Sequence, residues 1–76
     1  MNETRKPAAW ARSNADPETW VLPGVGKVVR REVLRAEGNV QRYIPFSADG
    51  TSLNFGWRHL GDAMANVEAH ARGEAY

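Results

Sequence analysis

Apolar and polar residues alternate on both sides of an Asp49-Gly50 pair, and beyond Trp57 a helical period replaces the alternation. Asp-Gly between alternating segments predicts a two-residue hairpin. A type I′ turn takes positive φ at both central positions, and its twist matches that of the flanking strands. With Asp49 and Gly50 as the loop, Ala48 faces Thr51, and pairing runs outward through Phe46 with Leu53, Ile44 with Phe55 and Arg42 with Trp57. One face then collects Ile44, Phe46, Leu53, Phe55 and Trp57. The other holds Gln41, Tyr43, Pro45 and Ser47 opposite Ser52, Asn54 and Gly56, the pattern of a half-buried antiparallel sheet. Pro45 has no N–H to give a ladder, so an edge or a bulge is expected there.

From Leu60 onward, Ala63, Met64, Val67 and Ala71 fall on one stripe at 100° per residue, predicting an amphipathic helix that covers the sheet. Asp62 suits the positive N-terminal end, Arg72 the negative C-terminal end, and Gly73 the position just past the last turn. Gly61 weakens the first turn, and no capping side chain stands near Arg58, where the helix is expected to begin. The expected core is Ile44, Phe46, Leu53, Phe55, Leu60, Met64 and Val67.

Upstream, Val25 to Arg35 is rich in β-branched residues and predicts a first strand, with Glu37-Gly38-Asn39 turning into a second strand near Val40. Its phase is ambiguous. Val25, Val29 and Val33 share one parity with Lys27, Arg31 and Arg35, while Val28 and Leu34 share the other with Arg30 and Glu32; a bulge near Arg30-Arg31 would reconcile the halves. Before it, Asp16-Pro17-Glu18 can open a single helical turn that Pro23-Gly24 ends, with Trp20 pinning the segment to the body. Residues 1–15 show no periodicity and little to bury besides Trp10, so they are expected to form a flexible arm. The predicted architecture is α+β: a three-stranded antiparallel meander with one C-terminal helix on one face (β-β-β-α), in a single small domain over residues 16–76.

With 76 residues and no cysteine, the chain has a small core and neither a disulfide framework nor a cysteine zinc site. So small a core gains from self-association, and a homodimer is one expected assembly. No apolar run approaches the roughly 20 residues that span a bilayer. The N-terminal Asn2, Glu3, Arg5 and Lys6 precede no apolar leader segment, so the expected setting is cytoplasmic, away from membranes. The net charge is +1 but uneven: Lys27, Arg30, Arg31 and Arg35 against Glu32 make residues 24–35 strongly basic, whereas Asp62, Glu68 and Glu74 against Arg72 make residues 59–76 acidic.

Catalytic patterns fail when tested. Pro23-Gly24-Val25-Gly26-Lys27 lacks both the earlier glycine and the following Ser or Thr of a phosphate loop, because Val21 and Val28 stand there. Val29 occupies the third glycine position of a dinucleotide fingerprint. These glycines are expected to shape the entrance of a strand. His59 and His70 are eleven residues apart, three helical turns along the axis, and cannot share one metal. With no nucleophile–base or paired-carboxylate spacing, the chain reads as a non-enzyme with no catalytic residues, metal or cofactor.

A binding surface is the remaining candidate. Lys27, Arg30, Arg31 and Arg35 offer phosphate contacts, and Gln41, Tyr43 and Asn54, with Ser52, offer stacking and hydrogen bonds on the open sheet face, which points to nucleic acid. The same face, or the Trp10 and Trp20 segment, also suits a protein partner. The run of a Val/Arg strand, Tyr43-Ile44-Pro45-Phe46, Leu53-Asn54-Phe55-Gly56 and Leu60-Gly61-Asp62-Ala63 resembles the three-stranded-sheet-plus-helix DNA-binding domains of phage integrase arms and plant Apetala-type factors. That resemblance covers residues 25–68 and implies a sheet that enters the major groove. Leu53-Asn54-Phe55 stands where those families carry Leu-Gly-x-Phe. The two-layer layout is also similar to phage accessory proteins, anti-CRISPR proteins among them, which implies binding and inhibition of a host protein.

Overall fold

A computed structural model describes residues 10–74. The architecture is α+β, with four strands where three were expected: β1 (Ala11–Arg12), β2 (Thr19–Leu22), β3 (Gly26–Val33) and β4 (Val40–Ser47) make an antiparallel sheet in that order, followed by α1 (Leu60–Ala71). Two of the four, β1 and β2, are additions N-terminal to the meander, while the third strand expected after Asp49-Gly50 is reduced to isolated bridges of Phe46 with Ser52 and Tyr43 with Trp57. The expected helical turn at Asp16-Pro17-Glu18 is instead the bend that joins β1 to β2, closed by Asp16, whose carboxylate accepts from the Glu18 N–H at 3.0 Å and the Thr19 hydroxyl at 3.1 Å. Residues 11–12 of the expected arm pair with Trp20 and Val21. Residues 1–9 of that arm lie outside the described residues.

β3 and β4 pair without interruption from Gly26 with Ser47 to Val33 with Val40, so the bulge expected near Arg30-Arg31 is absent. Strand alternation then sorts the side chains. Gly26, Val28, Arg30 and Glu32 share one face with Ser47, Pro45, Tyr43 and Gln41, and α1 covers it: Val28, Ala63 and Val67 are fully buried together, with Tyr43, Leu53, Trp57, Leu60 and Met64 packed around them. Helix and sheet approach closely at Gly26, where a β-carbon would stand 2.6 Å from a Val67 methyl carbon and 2.3 Å from the Phe46 carbonyl oxygen.

The expected core face of β4 is therefore inverted, and the turn explains why. Gly50 donates to the Ser47 carbonyl at 3.0 Å and Ser47 donates to the Thr51 carbonyl at 2.8 Å, which makes a three-residue loop of Ala48, Asp49 and Gly50. Gly50 takes φ of +91°, and no non-glycine residue among those described has positive φ, so Asp49 does not meet the demand of a type I′ turn. The extra loop residue pairs Phe46 with Ser52 and lets Leu53 donate to the Pro45 carbonyl at 2.8 Å. A one-residue slip exchanges the faces. Leu53 and Trp57 consequently join Tyr43 and Pro45 beneath α1, while Ile44 and Phe46 turn to the opposite side and Phe55 projects fully exposed. Pro45 sits in the outer strand, as expected, with its carbonyl facing the Leu53 edge.

α1 packs Leu60, Ala63, Met64 and Val67 of its expected stripe on the core, but Ala71 is exposed while Asn66 and Ala69 are buried, and the helix is fixed at both flanks. Its C-terminus closes with Gly73 donating to the His70 carbonyl at 2.9 Å and Glu74 to the Ala69 carbonyl at 2.8 Å, the Schellman pattern. Asn66 and Glu68, two residues and so about 200° apart on a helix, reach opposite edges of the sheet. The Trp57 indole N–H donates to Asn66 Oδ1 at 2.9 Å, and the Trp10 indole N–H donates to Glu68 Oε2 at 2.7 Å.

Candidate nucleic-acid interface

The face opposite α1 is left uncovered, because among the described residues α1 packs only on β3 and β4 from the other side. Alternation places on it Thr19 and Val21 of β2, Lys27, Val29, Arg31 and Val33 of β3, and Val40, Arg42, Ile44 and Phe46 of β4. Val29 at its centre is buried between Thr19 and Ile44, its cross-strand neighbours, and Val21, Val33, Val40, Ile44 and Phe46 are partly exposed. The Lys27 ammonium lies 5.4 Å from the centre of the Phe46 ring, a cation–π contact.

The charged strand positions on this face are of one sign, with the Asp16 carboxylate reaching its β2 margin through the Thr19 hydroxyl. Arg31 and Arg42 are direct cross-strand partners, Lys27 lies four residues before Arg31 on the same side of β3, and no strand position on the face carries a carboxylate. Like charges directly opposite each other destabilise a sheet. Arg31 and Lys27 are exposed and Arg42 is half-buried, with its aliphatic stem against Gly56.

The expected site residues divide. Lys27 and Arg31 are brought together on the open face, and Arg35 lies exposed in the β3–β4 loop beyond its end. Arg30, Gln41 and Tyr43 have the parity of the α1 side and do not join them. Arg30 forms an ion pair with Glu18, donating through Nη2 to Glu18 Oε2 at 2.9 Å and through Nε to Oε1. That guanidinium hydrogen bond holds the Glu18 carboxyl below its ordinary range. Tyr43 meets Trp20 edge to face with ring centres 5.9 Å apart, and the Arg12 guanidinium lies 5.0 Å from the Trp20 ring centre. Asn54 spends its side-chain oxygen on the Gly56 N–H at 2.9 Å, and Ser52 pairs with Phe46 at the sheet margin.

Arg42 and Phe55 were missed because the slipped hairpin register had assigned them elsewhere. The Glu37-Gly38-Asn39 turn does not by itself give this register: a loop of those three residues would set Arg42 against Leu34, whereas the observed connection spans residues 34–39 and sets Arg42 against Arg31. At the far end of the sheet, the β2–β3 and β4 turns border a shallow open groove of about 340 Å³ lined in part by Pro23, Gly24, Lys27 and Asp49. Its acid is already engaged: the Ser47 hydroxyl and the Thr51 N–H donate to Asp49 Oδ1 and hold that carboxyl down at about 2. Among the described residues no group of three His, Asp or Glu side chains is disposed to hold a metal, and no helix is long and apolar enough to cross a membrane.

Comparison with known proteins finds no family model, no curated protein and no solved structure that matches the chain. The reading of this face rests on its own chemistry.

Proposed function

We propose that the chain is a small non-enzymatic binding module that engages nucleic acid through its open sheet face. The observation that carries this reading is the Arg31–Arg42 cross-strand pair, with Lys27 on the same face and no carboxylate at any of its strand positions. Such an arrangement costs stability in the free protein and is relieved when phosphates lie between the cations. The net charge of only +1 gives little long-range attraction, so these three local cations supply the electrostatic contribution. Three phosphate contacts correspond to a slope of log affinity against log salt of about −2 to −3.

Labelled single-stranded and duplex oligonucleotides titrated at two salt concentrations test this, using the native chain and an Arg31→Ala, Arg42→Ala double variant. The expected result is salt-dependent binding that the double variant loses while remaining folded. Arg30→Ala serves as the control, because Arg30 is committed to Glu18 and its loss should leave binding intact. No binding to either nucleic acid at low salt rejects the reading.

A second reading has an observation of its own. Val21, Ile44 and Phe46 give the same face an aliphatic and aromatic surface that suits a protein partner, as a phage-type accessory protein occluding a host protein would use. Binding to such a partner would survive nuclease treatment.

A further inference from the structure

We infer that the nucleic acid taken by this face is single-stranded, with Phe55 stacking on an unpaired base beside the Arg31–Arg42 pair. The inference rests on the proposed nucleic-acid reading and is carried by two observations. One is the composition of the face between its cations. A duplex offers phosphates and polar groove edges, and sequence readout of those edges calls for amide, hydroxyl or guanidinium groups aimed into a groove. Apart from Arg31 and Arg42, whose guanidinium groups the proposed function gives to phosphates, the groups that would serve are elsewhere: Gln41 and Tyr43 have the parity of the other face, and the Asn54 oxygen is occupied within its own loop. What lies among the cations is Val21, Ile44 and Phe46, partly exposed apolar surface that matches exposed base rings.

The other observation is the way Phe55 is held. It is 100% exposed, in a small domain with little apolar surface to spare. Its loop is nevertheless fixed on both sides. Leu53 is anchored to Pro45 and to the core, the Asn54 oxygen captures the Gly56 N–H, and Trp57 exchanges both backbone hydrogen bonds with Tyr43 at 2.8 and 2.9 Å. Gly56 has φ of +149°, and a β-carbon there would lie 2.9 Å from the Arg42 β-carbon, so the backbone next to Phe55 rests directly on an arginine of the open face. A shallow depression of about 280 Å³ runs along Ser52, Leu53, Asn54 and Phe55. An aromatic ring presented by a fixed loop at the border of a cationic, apolar face is the combination by which proteins hold unpaired bases, stacking on the ring while cations follow the phosphates.

Affinity and salt slope together test this, measured on a single-stranded oligonucleotide and on the same sequence as a duplex, with the native chain, Phe55→Ala and Phe55→Tyr. The expected result is single-strand binding at least about tenfold tighter than duplex binding. Phe55→Ala should weaken single-strand binding by about five- to a hundredfold, the usual range for loss of one base–aromatic stack. It should leave the salt slope and the weak duplex binding unchanged, and Phe55→Tyr should restore affinity. Because Phe55 touches no core residue, Phe55→Ala stays folded. Duplex binding equal to or tighter than single-strand binding, or a Phe55→Ala chain that binds single strands like the native one, overturns the inference while the nucleic-acid reading stands. Absence of binding to both removes the two together.

Discussion

Phe55 and Val67 show how little residue type alone says about energetic weight here. Phe55 is the larger but is fully exposed, whereas Val67 is fully buried against Val28 and Ala63. Val67→Ala is therefore expected to cost about 2 kcal/mol, from lost burial and the cavity left behind. Phe55→Ala should stay within about 0.5 kcal/mol of the native chain. Urea midpoints of the two variants check this; a large loss in Phe55→Ala would favour the two-residue-loop register that pairs Phe46 with Leu53. At the same scale, Glu18 and Asp49 both titrate below their ordinary ranges, the first through its hydrogen bonds from Arg30 and the second, to about 2, through the Ser47 hydroxyl and Thr51. A carboxyl lowered in the folded state contributes stability that is fully present above its unfolded value, about 4. That contribution is lost as the pH falls, for Asp49 through about 2. Denaturation midpoints between pH 5 and pH 2 should therefore fall, and Asp49→Asn should flatten part of the fall. An Asp49→Asn curve parallel to the native one contradicts that assignment.

Among the elements, α1 was legible in the sequence because its stripe, the acidic first turn and Gly73 agree with one another. The β3–β4 hairpin was legible in outline through Glu37-Gly38-Asn39. The register after Asp49-Gly50 was not, since the pair serves a two-residue loop and a three-residue loop equally well and the choice turns on whether Asp49 adopts positive φ. That one ambiguity moved Ile44, Phe46 and Phe55 out of the core and Tyr43 and Pro45 into it. The phase of β3 gave no independent check, because both of its parities carry valine and arginine. β1 and β2 were hidden by their brevity, two and four residues with prolines in the adjoining turns. The indole clamps on α1 were illegible as well, since Trp57–Asn66 and Trp10–Glu68 depend on which edges the helix spans. Trp57→Phe keeps most of the packing and removes the donor to Asn66, which is buried. An unsatisfied buried acceptor of that kind costs about 1 to 3 kcal/mol. A calorimetric melting temperature equal to that of the native protein would show that the bond contributes nothing.

For the whole molecule, the sheet divides its labour between two faces. One carries Val28, Pro45 and Tyr43 beneath α1 and holds the fold together; the other carries Lys27, Arg31 and Arg42 over aliphatic surface and is covered by no described element. Of the basic residues singled out in the sequence, Lys27 and Arg31 belong to the open face, Arg35 to the loop beyond it, and Arg30 to a structural ion pair. The account's central claim is that binding occurs on the open face, and amide chemical-shift mapping during titration with a single-stranded oligonucleotide tests it most directly. The expected shifts cluster at Lys27, Arg31, Arg42 and Phe46 and along residues 53–56, with Asn66, Val67 and Glu68 of α1 unmoved. Shifts centred on α1, or on Arg30 and Tyr43 without Arg31 and Arg42, would contradict it.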